Sequence, residues 1–268
     1  MAPPPKAPAA PVWSKPPIPS GIYSDRYRTP AQAMQPKRKS LMRKYEVAAL
    51  TVDNKVHHSE HIAPASPDFE GAFSAFARGT MIATPSGPRA IEDIEPGTLI
   101  NTVGGPALPV LWVGSMTLVP SAPIDRPEQL RLTRIMADTF GLARPMPDLL
   151  LGHGARLLRS PAALREYAMQ TDVLTPAWAF VDGSSAIAIT PPAPVALYHL
   201  CLPHHAIISA AGLEVESYHP GTMLLRDMGP STRALFLSLF PHVTREDGFG
   251  PLSYPRAAQN TLEQLDLV

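Results

Sequence analysis

Nine histidines, a single cysteine and scattered carboxylates are the side chains from which this 268-residue chain could build a reactive site. His57, His58 and His61 lie close together, and His204 and His205 are adjacent. Rings on neighbouring strand residues point to opposite faces, and the prolines around the first group argue against the helix that would align His57 with His61. Zinc draws on three or four convergent ligands, so neither group is expected to hold a metal, and no cofactor is expected. Glu92 and Asp93 are neighbours whose side chains diverge, which rules out one shared proton and points to capping or solvation. Cys201 sits in an apolar run and reads as a buried structural thiol; being alone, it excludes an intramolecular disulfide and a cysteine-rich zinc site. The chain has no Gly-x-Gly-x-x-Gly, phosphate-loop or Gly-x-Ser-x-Gly element.

The elements that must position these groups are short. From Phe73 onward, strand-like runs alternate with turn signals: Met81–Thr84 before Pro85-Ser86-Gly87-Pro88, Thr98–Thr102 before Gly104-Gly105-Pro106, then Val110–Val113 and Met116–Val119 parted by Gly114. Ile91–Ile94 is long enough for one helical turn only. Gln129–Arg134 alternates polar and apolar residues, as a half-buried strand does. Further strands are expected at Leu149–Leu151, Arg156–Leu158, Val195–Leu202, Ala206–Ser209 and Leu213–Ser217. Such spacing, with almost no helix between, predicts an all-β antiparallel architecture over residues 73–221. Thr232–Phe240 and Arg256–Leu267 read as short C-terminal helices in an extension over 222–268.

Composition supports that division. Hydrophobic residues make up 45% of the chain and charged residues 17%, enough for a sizeable core. The 33 prolines and 17 glycines favour short strands over long helices. Formal net charge is zero, but residues 1–70 hold ten Lys/Arg against six Asp/Glu, so the rest is net acidic. Residues 1–44 read as a disordered, proline-rich and basic tail, and residues 45–72 as a strand (Tyr45–Val52), a turn at Asp53-Asn54 and a linker. No apolar run reaches the length of a transmembrane helix, and the proline-broken N-terminus lacks the apolar core of a secretory signal. Cytoplasmic residence is therefore the default expectation, with non-classical export as the alternative.

In this order, several segments resemble the hedgehog/intein (Hint) domains, the scaffold of self-cleaving modules, and most closely their bacterial branch. Phe76-Ala77-Arg78-Gly79-Thr80-Met81-Ile82, Gly87-Pro88 and Ile91-Glu92-Asp93-Ile94-Glu95-Pro96-Gly97 are similar to the family's opening. Trp112-Val113-Gly114 resembles its next strand. Tyr198-His199-Leu200, His205-Ala206-Ile207-Ile208, Gly212 and Glu216-Ser217-Tyr218-His219-Pro220-Gly221 resemble its closing block. The resemblance implies a horseshoe of short antiparallel strands.

It also implies chemistry. Hint self-cleavage uses a nucleophile on the first residue of the domain, which attacks the preceding carbonyl, and an imidazole that protonates the departing amide nitrogen. The family's nucleophilic Cys lies four residues before the Gly of Gly-Thr, a position held here by Ala75. Its Ser-Pro-x-His-Arg element matches Gly152–Arg156, which puts Ala155 at the His. Ser74 is the adjacent hydroxyl, though a one-residue shift in an extended segment turns it to the other face. His153, two residues along a strand, would stand about 6–7 Å away, where proton transfer needs about 3 Å. The family's late His matches His205, and the Asp that often precedes it by two is Pro203 here.

The reading that follows is a catalytically degenerate Hint-family module, kept as a binding or structural domain. Two alternatives stand beside it. One is an active autoprocessing domain that cleaves near Ser74/Ala75 with Ser74, His153 and His205 as its catalytic residues. The other is an interaction protein working through its tail, with Lys37, Arg38, Lys39, Arg43 and Lys44 touching a polyanion and an unknown protein partner on the proline-rich part.

Overall fold

The computed structural model describes residues 41–120, 130–159, 173–243, 245 and 247–257. The expected tail up to residue 40, Gln129 and the expected helix beyond residue 257 lie outside the described residues.

The chain opens with a hairpin of β1 (Met42–Leu50) and β2 (Val56–Pro64), followed by the single turn α1 (Pro67–Glu70). Next come β3 (Phe76–Ala77), β4 (Met81–Thr84), β5 (Gly87–Ala90), β6 (Leu99–Ile100), β7 (Leu108–Pro109) and β8 (Trp112–Leu118). β9 (Leu132–Ile135), β10 (Leu149–Leu151), β11 (Arg156–Leu158), β12 (Leu174–Pro176) and β13 (Ala186–Ile189) lead to β14 (Val195–Cys201), β15 (Ile207–Ala210) and β16 (Leu213–Glu216). Two helices follow, α2 (Leu224–Asp227) and α3 (Pro230–Ser238). Ile91–Asp93 makes the one helical turn that its length allows.

Three antiparallel sheets form among the described residues. Their orders are β13-β9-β10-β3-β14-β8-β1-β2, β12-β11-β16-β15-β4-β5, and β6-β7. The protein is all-β with a few short helices, as the strand spacing predicts. β3, only two residues long, lies between β10 and β14 in the large sheet, while β4 runs into the second sheet. Residues 71–84 therefore thread both sheets, and they carry Ser74 and Ala75, two of the positions where chemistry was expected.

Gly114 corrects one expectation. It lies inside β8 rather than at a turn between two strands. A β-carbon there would collide with the indole of Trp112 and the ring of Phe73, so its role is close approach. β2 is a strand that sequence reasoning did not supply, and β1 starts at Met42, ahead of the expected Tyr45. β2 escapes the pattern because it is a sheet edge with most of its side chains wet, so no apolar alternation marks it.

Two apolar clusters fill the interior. One joins Phe69, Phe73, Ala77, Trp112 and Tyr218 to Phe236, Leu239, Phe240 and Phe249. Trp112 donates its indole N–H to the Leu239 carbonyl at 2.7 Å and stacks on Phe240 with centroids 4.7 Å apart. The described part of the C-terminal extension is thus packed on the β-domain. The other cluster gathers Ala75, Phe76, Ile82, Ile100, Leu151, Ala155, Leu157 and Val215.

Candidate functional site

Ala75 enters β3 with its backbone fully engaged. Its N–H donates to the Tyr198 carbonyl at 3.0 Å, and its carbonyl accepts from Gly152 at 2.9 Å. The preceding carbonyl, that of Ser74, accepts the Gly154 N–H at 2.9 Å. The peptide bond that Hint chemistry would break is thus held by donors and acceptors on both sides, and one N–H polarises its carbonyl. Ala75, where the resemblance expects the nucleophile, is a fully buried methyl group.

Gly152 and Gly154 explain the local chain. β-carbons on them would strike the backbone of Ser74 and of Gly71 respectively, so the Gly-His-Gly sequence lets the β10–β11 turn lie flat on residues 71–75. Residues 152–155 form that turn, closed by Ala155 N–H to Gly152 at 3.2 Å. His153 is therefore not on the strand face assumed from spacing. Its ring stacks on Trp178, 6.0 Å between centroids and 13° from parallel. Ala155, at the expected imidazole position, is completely buried in the second apolar cluster.

Ser74 and His153 do come together. With Glu70 and Met116 they line a void of about 10 Å³, room for one water at most. Ser74 is buried, and its Oγ accepts the Gly154 N–H at 3.2 Å. It is the same N–H that the Ser74 carbonyl accepts at 2.9 Å, so the carbonyl and the hydroxyl of Ser74 share one donor.

His205 lies in a different group of side chains. Its Nδ1 accepts the Ser253 N–H at 3.0 Å, and a backbone N–H can only donate. The ring proton is thus on Nε2, which faces the Glu216 carboxylate at 3.1 Å. The Ser253 hydroxyl donates to the His205 carbonyl. Both ring nitrogens are committed, one to backbone and one to a carboxylate.

Glu216 is the centre of this group and is 1% exposed. β11 and β16 pair with Leu157 opposite Val215, a register that sets Arg156 across from Glu216, 3.3 Å apart. Arg256 contributes its guanidinium at 3.1 Å and also donates to the His219 carbonyl at 2.7 Å. Burial by itself would push the Glu216 carboxyl up. The His205 N–H and the two guanidiniums outweigh burial and hold it down, at about 2. His219 is locked in the same manner as His205. Its Nδ1 accepts from Gly221 at 2.9 Å and its Nε2 donates to the Gly250 carbonyl at 2.8 Å. Burial presses His219 down to about 4, against the opposing pull of that carbonyl.

Gly250, Ser253 and Arg256 belong to one strap, which continues into a parallel bridge between Arg256 and Leu174. Sequence reasoning placed Glu216 and His219 in a familiar block but gave them no task, and it missed Arg156, Ser253 and Arg256. The one available signal was a charge set inside apolar runs, Arg156 before Leu157-Leu158 and Glu216 after Val215.

The remaining candidates disperse. His204 is exposed while His205 is buried, both in the connection between β14 and β15 rather than on a strand. His57 and His58 are exposed, and His61 bonds the Ser59 hydroxyl at 2.9 Å. Among the described residues no three His, Cys, Asp or Glu side chains converge as a metal site would need. Glu92 accepts the Gly79 N–H at 2.8 Å and pairs with Arg78, whereas Asp93 faces solvent. Cys201 is buried, and burial pushes its thiol well up. Of the basic run, Arg43 pairs with Glu70 at 2.6 Å, and Lys44 with Glu60 at 2.6 Å and Glu46 at 3.0 Å. Lys37, Arg38 and Lys39 lie outside the described residues. Among the described residues no helix is long and apolar enough to cross a membrane.

A Hint-domain family model matches residues 74–222, more than half of the chain. The chain therefore belongs to the Hint-domain family. No curated protein matches it.

Proposed function

We propose that this protein is a Hint module without self-cleavage chemistry, acting as a folded binding or structural domain. One observation supports the reading: Ala75 and Ala155, which the resemblance sets at the nucleophile and imidazole positions, are methyl-bearing residues buried in the core. An amide does not break without an attacking group and a proton for the leaving nitrogen. The loss of a general acid alone typically costs about 10²–10⁴ in rate.

A second reading, autoprocessing through Ser74, draws on the void that Ser74 shares with His153. Intact mass separates the two. Full-length protein incubated for days with thiol or hydroxylamine is expected to keep its mass unchanged. A fragment beginning at Ser74 or Ala75, lost in Ser74→Ala, would establish the second reading instead.

A further inference from the structure

β2 ends the large sheet, and among the described residues nothing pairs with its outer edge. The direction of its free groups follows from the hairpin. Thr51 N–H donates to the Lys55 carbonyl and Ala65 N–H to the Leu41 carbonyl, so odd-numbered residues of β1 and β2 exchange hydrogen bonds with each other. Leu50 N–H turns the other way, onto Leu111 beyond β1. The N–H and C=O groups of Val56, His58, Glu60 and Ile62 consequently face outward, unused by the hairpin. Nine residues pair with β1 without a bulge, and no proline interrupts them before Pro64. Long unprotected edges of this kind are templates for another strand.

The residues along that edge are arranged about a centre. Val56-His57-His58-Ser59-Glu60-His61-Ile62 reads nearly alike from either end. We infer that β2 pairs antiparallel with β2 of a second copy of this chain, across a two-fold axis at Ser59. In that register Val56 opposes the partner's Ile62, and both are exposed in the isolated chain, 38% and 61%. His58 opposes the partner's Glu60, an imidazole donor beside a carboxylate. His57 opposes the partner's His61, and Ser59 opposes the partner's Ser59. The outward backbone groups fall into hydrogen-bonded pairs, His58 with Glu60 and Val56 with Ile62, in both directions. Moving the axis to Glu60 sets two glutamates face to face and leaves Ile62 opposite His58. Complementary cross-strand pairs stabilise and like charges opposed destabilise, so the Ser59 axis is the favoured one. A two-fold axis also closes the assembly at two chains.

Light scattering on full-length protein at high-micromolar concentration should give twice the 28.9 kDa of one chain. His58→Pro removes an outward N–H and the imidazole facing the partner's Glu60 while sparing the hairpin's own hydrogen bonds, and should return the mass to that of a monomer with the β-sheet circular dichroism retained. Single cysteines report the register, because Cys201 is buried and silent. Residues facing themselves across a non-hydrogen-bonded pair lie about 4.5 Å apart, within disulfide reach. Under mild oxidation Ser59→Cys should become a covalent dimer, while His57→Cys and His61→Cys, on the same face, should not. A monomer at every concentration overturns the pairing. A dimer that crosslinks through position 57 or 61, or that survives His58→Pro, overturns the Ser59-centred edge.

Discussion

Arg256 sets one guanidinium nitrogen 3.1 Å from each oxygen of the Glu216 carboxylate, reaching back from forty residues further along the chain. This contact ties the C-terminal strap to the β-domain. Removing one member of a buried ion pair typically costs about 3–5 kcal/mol. Arg156 and His205 would still face Glu216, so Arg256→Ala is expected at the lower end, about 3 kcal/mol. Urea denaturation measures it. A change within error of zero would mean that the strap is not tied down through Glu216.

Acid should weaken the fold early. Burial depresses His219 and His242 to about 4 and His199 to about 3, from an ordinary 6.5. Between those values the unfolded chain binds protons that the folded chain refuses. Stability from these groups is whole above about pH 6.5 and falls as pH drops through 4 and then 3. Glu216 acts in the same direction lower down: its contribution is present above the ordinary carboxylate range near 4.5 and is lost as pH falls through about 2. Melting curves should decline steadily from near neutral pH to about pH 4. His242→Phe should shrink that decline, since the His242 Nδ1 is buried and has no hydrogen-bond partner among the described residues. A flat profile over this range would contradict the assignment.

Gly114→Ala should be among the most damaging single changes. The added methyl has no space between the Trp112 indole and the Phe73 ring. Trp112 cannot step aside without leaving Leu239 and Phe240. Overpacking costs about 1–3 kcal/mol and at times more, and this site has little freedom, so about 3 kcal/mol or more is expected. A mild effect would show that the indole can re-seat.

The pattern of strands was legible because strands buried on one or both faces betray themselves by period and by turn residues. Leu149–Leu151 and Arg156–Leu158 fall where they were read, and β15 and β16 lie within a residue of their expected bounds. The burial of Ala75 and Ala155, the residues that the resemblance sets at the nucleophile and imidazole positions, was not legible, because it depends on which strands pack over them. β2 was not, because a wet edge strand has no reason to alternate. The strand break expected at Gly114 was misplaced because a glycine needed for close approach looks the same in sequence as one needed for a turn. The Glu216 group was hidden for a different reason. Its members come from β11, β16, the His205 loop and a distant strap, and no local spacing joins them.

Arg43 tests the basic run. Both it and Glu70 are nearly buried, at 9% and 7% side-chain exposure. Arg43→Ala would strand the Glu70 carboxylate, at a cost of about 3–5 kcal/mol. Its effect on heparin or nucleic-acid affinity should be small. Neutralising Lys37, Arg38 and Lys39 is expected to flatten the salt dependence of any such binding, since each phosphate contact adds to that slope. If Arg43→Ala instead lowers polyanion affinity with stability intact, the ion pair is not what this residue is for.

The last prediction concerns introducing, at positions 75 and 155, the side chains that the Hint resemblance expects there. Ala75→Cys adds one sulfur at a position whose backbone bonds to Tyr198 and Gly152 already fix its direction, and a modest cost is expected. Ala155→His is different. Its β-carbon is fully buried within a cluster that includes Phe76, Leu151 and Leu157, and an imidazole needs both space and partners for two nitrogens. Overpacking and an unmet polar group act together, so the variant should lose about 3 kcal/mol or more. The double variant is therefore expected to fold less stably and still not cleave, because the ring cannot settle near the amide nitrogen of residue 75. Intact mass after incubation with thiol, alongside a melting curve for each variant, decides it. Cleavage in the double variant but in neither single one would show that the core still opens for a ring at position 155 and that only two side chains separate this module from activity.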